Sequence, residues 1–322
     1  MRDQTEMSRA STLFLTLGLT FSTCLISSLS AAESTSALSD SAAIEKPKEA
    51  DDGGSSFSES MGRQARLEYS FEPEADLDMA GAFSYWDVTL SAPVFGRKIG
   101  TNWLWGARIR YRYSEIDWTD QALFDNDSLH RLDLSFTLVY KPESSPWSGF
   151  LSIAPGLAGD GTNITTDELL YVVIAGAGYK FSDRFTLLGG IYFSQDFGEP
   201  RLIPSPGFIW EINDRWNFSV IPPRVRLAYT PIENWRFVAE AFPNGNRWSV
   251  TTLDGEAAYL DRSGFRAGLR IERRVIGDAW LQVSGGIVFA RELAMETEGG
   301  RILFESDADS TPYISTGFFW RF

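Results

Sequence analysis

From Arg66 to the last residue, the dominant feature of the sequence is alternation. Apolar and polar side chains follow one another with a period of two, and clusters of Gly, Pro, Asn and Asp interrupt the runs. Period two is the period of a β-strand, whose successive side chains point to opposite faces, and no helix can use it. In one run Trp103, Trp105, Ala107, Ile109, Tyr111 and Tyr113 share a face, while Arg108, Arg110 and Arg112 share the other. A second sets Leu132, Leu134, Phe136, Leu138 and Tyr140 against Arg131, Asp133, Ser135 and Thr137. A third sets Phe265, Ala267, Leu269 and Ile271 against Arg266, Arg270 and Glu272. The chain is all-β from here on.

Soluble antiparallel sheets alternate too, so further features must choose between a sandwich and a membrane barrel. The runs reach the ~9 to 11 residues that a tilted strand needs to cross a bilayer, beyond the usual ~5 to 6 of a soluble strand. Aromatics gather near their ends, where an amphipathic ring suits the boundary between hydrocarbon and headgroup. Trp103, Trp105, Trp216, Trp235, Trp280 and Trp320 are assigned to one such rim. The closing stretch 313–322 carries Ile314, Thr316, Phe318, Trp320 and Phe322 on one face and finishes on an aromatic. It resembles the assembly signal of bacterial outer-membrane barrels. That resemblance implies Phe318, Trp320 and Phe322 as the signal, with the barrel assembly machinery and outer-membrane lipid as partners.

The N-terminal segment agrees with export. Leu13 to Ile26 is apolar, is preceded by Arg2 and Arg9, and is followed by the small residues Ser30-Ala31-Ala32. Residues 1–32 therefore read as a cleaved export signal. Cys24, the only cysteine, falls inside it, so the exported chain is expected to have no disulfide, thiol nucleophile or cysteine metal site. Residues 33–62 are rich in Ser, Ala, Asp and Glu, too polar to offset their ordering entropy, and read as a flexible acidic periplasmic tail. Residues 63–322 form the barrel.

Short turns alternating with longer connections give a transmembrane antiparallel up-and-down β-barrel of about 14 strands. The count is 12 if the hairpin 215–222 and 224–231, joined only by Pro222-Pro223, does not span. The stretches 243–263 and 293–311 read as outer loops. Acidic clusters such as Glu72, Glu74, Asp76 and Asp78, or Glu296, Glu298, Glu305, Asp307 and Asp309, read as solvated loop residues.

A formal net charge of −14 argues against nucleic acid as a partner. With the aromatic faces turned to lipid, Arg108, Arg110, Arg112, Arg131, Asp133, Arg224, Arg226, Glu240, Arg266, Arg270 and Glu272 face the lumen. Rings of basic side chains favour anions at a constriction. The expected function is a porin-like passive channel for small polar or anionic solutes. The alternative is a non-conducting structural or surface-interaction barrel, in which the same arginines only brace the wall through carboxylates. An enzyme is not expected: His130 is the single histidine and shares parity with Leu132 and Leu134. No cofactor or metal is expected either.

Between about Trp86 and Val250, the segments Leu202-Ile203-Pro204, Phe208-Ile209-Trp210, Asn213-Asp214-Arg215-Trp216 and Pro222-Pro223-Arg224-Val225 resemble a family of bacterial outer-membrane β-barrel proteins catalogued as a domain of unknown function. The resemblance implies an outer-membrane location and a barrel. It brings no activity and no site residues.

Overall fold

The computed structural model describes residues 64–79, 81–119, 124, 126–161, 169–196 and 201–321. The expected export signal, the tail and Phe322 lie outside the described residues.

The strands in chain order are β1 (Gln64–Asp76), β2 (Ala82–Ile99), β3 (Trp103–Trp118), β4 (Ser128–Tyr140), β5 (Trp147–Gly159) and β6 (Leu169–Ser182). Next come β7 (Phe185–Ser194), β8 (Arg201–Pro204), β9 (Gly207–Asn213), β10 (Trp216–Ile221), β11 (Arg224–Ile232) and β12 (Trp235–Pro243). The last are β13 (Asn246–Thr251), β14 (Ala257–Ile276), β15 (Ala279–Thr297), β16 (Ile302–Ala308) and β17 (Thr311–Arg321). Three boundaries are breaks within one wall strand. Both β8 and β9 pair with β7, both β12 and β13 with β14, and both β16 and β17 with β15. Fourteen wall strands remain, and β1 pairs with both β2 and β17 to close the ring. The hairpin in question belongs to the wall, since β10 pairs with β9, β11 with β12, and the two with each other from Trp216↔Tyr229 to Ile221↔Arg224.

The two faces of the wall are inverted relative to a water-soluble protein. Outward side chains such as Leu67, Leu134, Leu269, Val283 and Ile314 are exposed, whereas inward Ser70, Arg226, Arg270, Glu272 and Ser315 are buried. That is the pattern of a barrel bathed in lipid, with polar groups turned to the interior. Closure satisfies the backbone, because hydrocarbon offers no partner to an open sheet edge. Aromatic contacts ring the end with the short turns: Trp103 with Tyr140 at 4.8 Å, Trp147 with Tyr179 at 4.9 Å and Trp216 with Tyr229 at 4.5 Å. Trp280 departs from its assigned place on this rim. Even positions of β15 point inward here, so its ring stacks on Phe319 at 5.9 Å with the Arg321 guanidinium above it.

The outer half of the wall is a second, narrower barrel. At Ser249↔Gly159, β13 crosses to β5 and pairs with it in parallel, and the Asp160 amide donates to the Ser249 carbonyl at 2.9 Å. Across the ring, Leu77 bridges to Ala308 and the Asp78 amide donates to the Asp307 carbonyl at 3.0 Å, which joins β1 to β16. Nine strands, β13 to β16 and β1 to β5, thereby close on themselves. About eight strands leave an interior just wide enough for side chains. Phe83, Ile116, Phe124, Leu129, Trp248, Leu260 and Leu293 fill this one, all at most 1% exposed.

The outer loops expected at 243–263 and 293–311 are therefore mostly strand. β13 runs to Thr251 and β14 begins at Ala257, while β15 runs to Thr297 and β16 begins at Ile302. Inward Trp248 and Val250, Ala258 and Leu260, and Leu293 and Met295 hold these extensions by burial. Most of the carboxylates that suggested loops occupy the opposite, watered face.

Candidate functional site

Below the dry outer barrel, the wider wall encloses a polar chamber of about 580 Å³. Inward parity on seven strands delivers its charged lining. β1 gives Arg66 and Glu68, β2 Asp87, β3 Arg108, Arg110 and Arg112, β11 Arg224 and Arg226, and β12 Arg236 and Glu240. β14 adds Arg266, Arg270 and Glu272, and β17 adds Arg321. Ten arginines thus face four carboxylates, an excess of six positive charges within a chain that is negative overall. A low-dielectric wall concentrates such a field in the cavity it surrounds.

The carboxylates hold the guanidinium groups in place. Glu240 accepts from Arg224 at 3.3 Å and pairs with Arg270 at 3.2 Å, and Arg270 also reaches Glu272 at 2.9 Å. Arg66 spans Glu68 at 3.0 Å and Gln282 at 2.6 Å. Arg112 donates to Asn246 at 2.7 Å, while Arg108 donates to the Gln64 carbonyl at 3.1 Å and the Ser91 hydroxyl at 3.3 Å. A hydroxyl or a carbonyl fixes a guanidinium without cancelling its charge.

The roof of the chamber is built on Glu72, which is fully buried. Arg262 and Arg266 donate to its two oxygens, Arg266 at 2.9 Å, Arg291 lies at 3.4 Å, and Asn244 donates at 3.3 Å. Above them the guanidinium groups lie on aromatic faces of the outer core, Arg262 on Tyr85 at 3.9 Å and Arg291 on Phe83 at 4.8 Å. A β-bulge makes this possible. Ala290 has a φ of 48°, and beyond it the inward positions of β15 change from even to odd, which turns Arg291 into the barrel.

Comparison with known proteins gives a family. A family described as a domain of unknown function, DUF6268, matches residues 97–321. The chain belongs to the DUF6268 family. No curated protein matches it. Among solved structures it is similar to the COG4313 outer membrane channel from Pseudomonas putida F1, at 12% identity and a TM-score of 0.48 over 81% of this chain and 96% of that one. It is also similar to a Pseudomonas aeruginosa FadL homologue, at 11% identity and a TM-score of 0.40 over 80% and 90% of the two chains. A third is LpxR from Salmonella typhimurium, at 8% identity and a TM-score of 0.33 over 80% and 100%.

Within this DUF6268 barrel, Arg108, Arg110, Arg112, Arg224, Arg226, Glu240, Arg266, Arg270 and Glu272 all line the chamber. Arg131 and Asp133 face inward but do not line it. Asp196, just past β7, reaches Arg131 at 2.8 Å and, with Asp133 at 2.9 Å, holds its side chain at 3% exposure, while Asp133 also accepts from the chamber-lining Arg110 at 2.9 Å. His130 stays on the outward face, where Tyr111 bonds its Nδ1 at 2.8 Å. Phe318 and Trp320 lie on β17 with their parity outward.

Glu72 is the principal correction, a roof group rather than a solvated loop residue. Arg66, Arg236, Arg262, Arg291 and Arg321 join it as inward groups that sequence reasoning passed over. Parity alone finds Arg262, four residues before Arg266, and Arg66 beside outward Leu67. It misplaces Arg291, because the bulge at Ala290 leaves no mark in the sequence.

Proposed function

We propose that this protein is an outer-membrane barrel whose chamber selects small anionic solutes. One observation carries the reading: ten arginines against four carboxylates on the lining of one cavity. The lining runs from Gln64 and Arg321 near the short-turn end to Asn244 under the roof, so a solute entering from the periplasmic side meets positive charge along its whole path. The purified protein in planar bilayers is expected to form channels with anion over cation preference. Arg108→Glu should lower that preference several-fold, and a cation preference unchanged by this substitution would sink the reading.

A second reading, a barrel that conducts nothing along its axis, is favoured by the outer core. Fourteen buried apolar side chains, from Leu77 to Met295, occupy the outer end. Absence of unit conductance in the wild-type protein, with conductance appearing in Trp248→Gly, is the outcome that this reading expects.

A further inference from the structure

On the second reading the outer core closes the axial route, and the wall itself then offers another. The hairpin of β10 and β11 turns back at Pro222-Pro223 after only six residues of β10. At ~3.3 Å per residue and ~40° of tilt, its tip rises about 15 Å in an apolar band about 25 Å tall. Its neighbours continue past it. β8 pairs with β7 alone, and β13 has left the wall to meet β5, so among the described residues no strand joins β8 to β12 or β13 above the tip.

Side-chain exposure agrees with a gap there. Leu202, Ile203 and Pro204 are consecutive in a strand and so point to alternate faces, yet all three are exposed. The frame is rich in proline, with Pro204 and Pro206 on one side, Pro222 and Pro223 below and Pro243 on the other. A proline has no N–H to leave unpaired, which is how a strand edge survives where neither water nor a partner strand is guaranteed. Ile221, Pro222, Pro223 and Phe242 belong to the chamber lining as well, so the gap and the chamber are continuous. Directly behind the tip, the Arg224 guanidinium lies 4.3 Å over the Phe242 ring and keeps 46% of its side chain exposed.

We infer that this gap is a lateral portal through which a single-chain amphiphile with an anionic head passes between chamber and bilayer. The head goes to the arginines and the tail lies along the apolar frame. The inference rests on the cationic chamber of the proposed function and adds the tail and the route. An apolar rim alone would take any lipid, but the charge behind it fixes the sign of the head.

The test is native mass spectrometry of the full-length protein in a neutral detergent, with dodecanoate, dodecyltrimethylammonium and acetate as probes. A bulky maleimide is attached after folding to Ile203→Cys in a Cys24→Ser background, and to Leu67→Cys on the distant lipid face as control. Dodecanoate is expected to bind about tenfold more tightly than either other probe. The tag at position 203 should remove that binding while the tag at 67 leaves it intact. Unlabelled Ile203→Cys is the reference for the tagged protein, so that the further loss on tagging reads obstruction alone. Dodecanoate binding that survives the tag, or acetate binding as tight as dodecanoate, overturns the portal and leaves the cationic chamber standing. Equal binding of dodecanoate and dodecyltrimethylammonium overturns the chamber reading as well.

Discussion

A single buried carboxylate organises the roof of the chamber. Glu72 faces three guanidinium groups that β14 and β15 bring to it, and removing one member of a buried ionic cluster strands the others without compensation. Glu72→Gln is expected to cost about 3 to 5 kcal/mol, measured by urea unfolding of the barrel in lipid vesicles. A loss well under ~1 kcal/mol would mean that water screens the cluster and that the roof is not dry. This group was hidden in the sequence for a physical reason. It stands in a run of acids and a proline that reads as a loop, and its partner Arg262 lies 190 positions away, so no local period connects them. Arg108, Arg110 and Arg112 were legible because their partners in the argument, the outward Ile109 and Tyr111, are adjacent.

At the scale of the element, β13 decides what the outer end can do. Trp248 is fully buried at the centre of the outer core, and truncating such a ring removes both burial and packing. Trp248→Ala should destabilise the protein by about 3 to 5 kcal/mol and raise its single-channel conductance; conductance unchanged from wild type would place the barrier elsewhere. The alternation that builds β13 and β16 is present in the sequence, but each run is only six or seven residues long and sits among acids and glycines, so the 14-strand wall was readable while its outer extension was not. That extension stands in water. Phe265 and Phe289 are the last outward phenylalanines of β14 and β15, and beyond them Arg247, Tyr259, Asp261 and Glu296 share the outward face. Burial pushes the Asp261 carboxyl up to about 7, with Glu296 and Glu292 acting in the same sense and Arg247 against it. A carboxyl raised in the folded state supports that state below its ordinary value and withdraws the support as pH climbs through about 7. Amide exchange in 246–262, corrected for intrinsic rate, should therefore quicken between pH 6 and 8 in the wild type and much less in Asp261→Asn.

For the whole molecule, the surrounding solvent is the quantity on which everything else turns. A dry nine-stranded end, a wet cationic chamber and a proline-framed gap acquire their roles only if the outward face meets acyl chains. Val283 is 53% exposed on that face and pairs across β15 with Ile271 and Thr316, well inside the ring of aromatics at the short-turn end. In a water-soluble sheet, replacing so exposed a valine by lysine would change stability by no more than about 0.5 kcal/mol. In a bilayer the same lysine must carry its charge near the midplane, at a cost of about 2 to 4 kcal/mol. Tyr259→Lys, on the extension beyond the aromatic belt, supplies the internal control, because an ammonium there stays in water under either description. The expected result in vesicle unfolding is a large loss for Val283→Lys beside a small one for Tyr259→Lys. Equal, small losses at both positions would mean that water, not lipid, surrounds the wall, and the chamber would then be the interior of a soluble barrel.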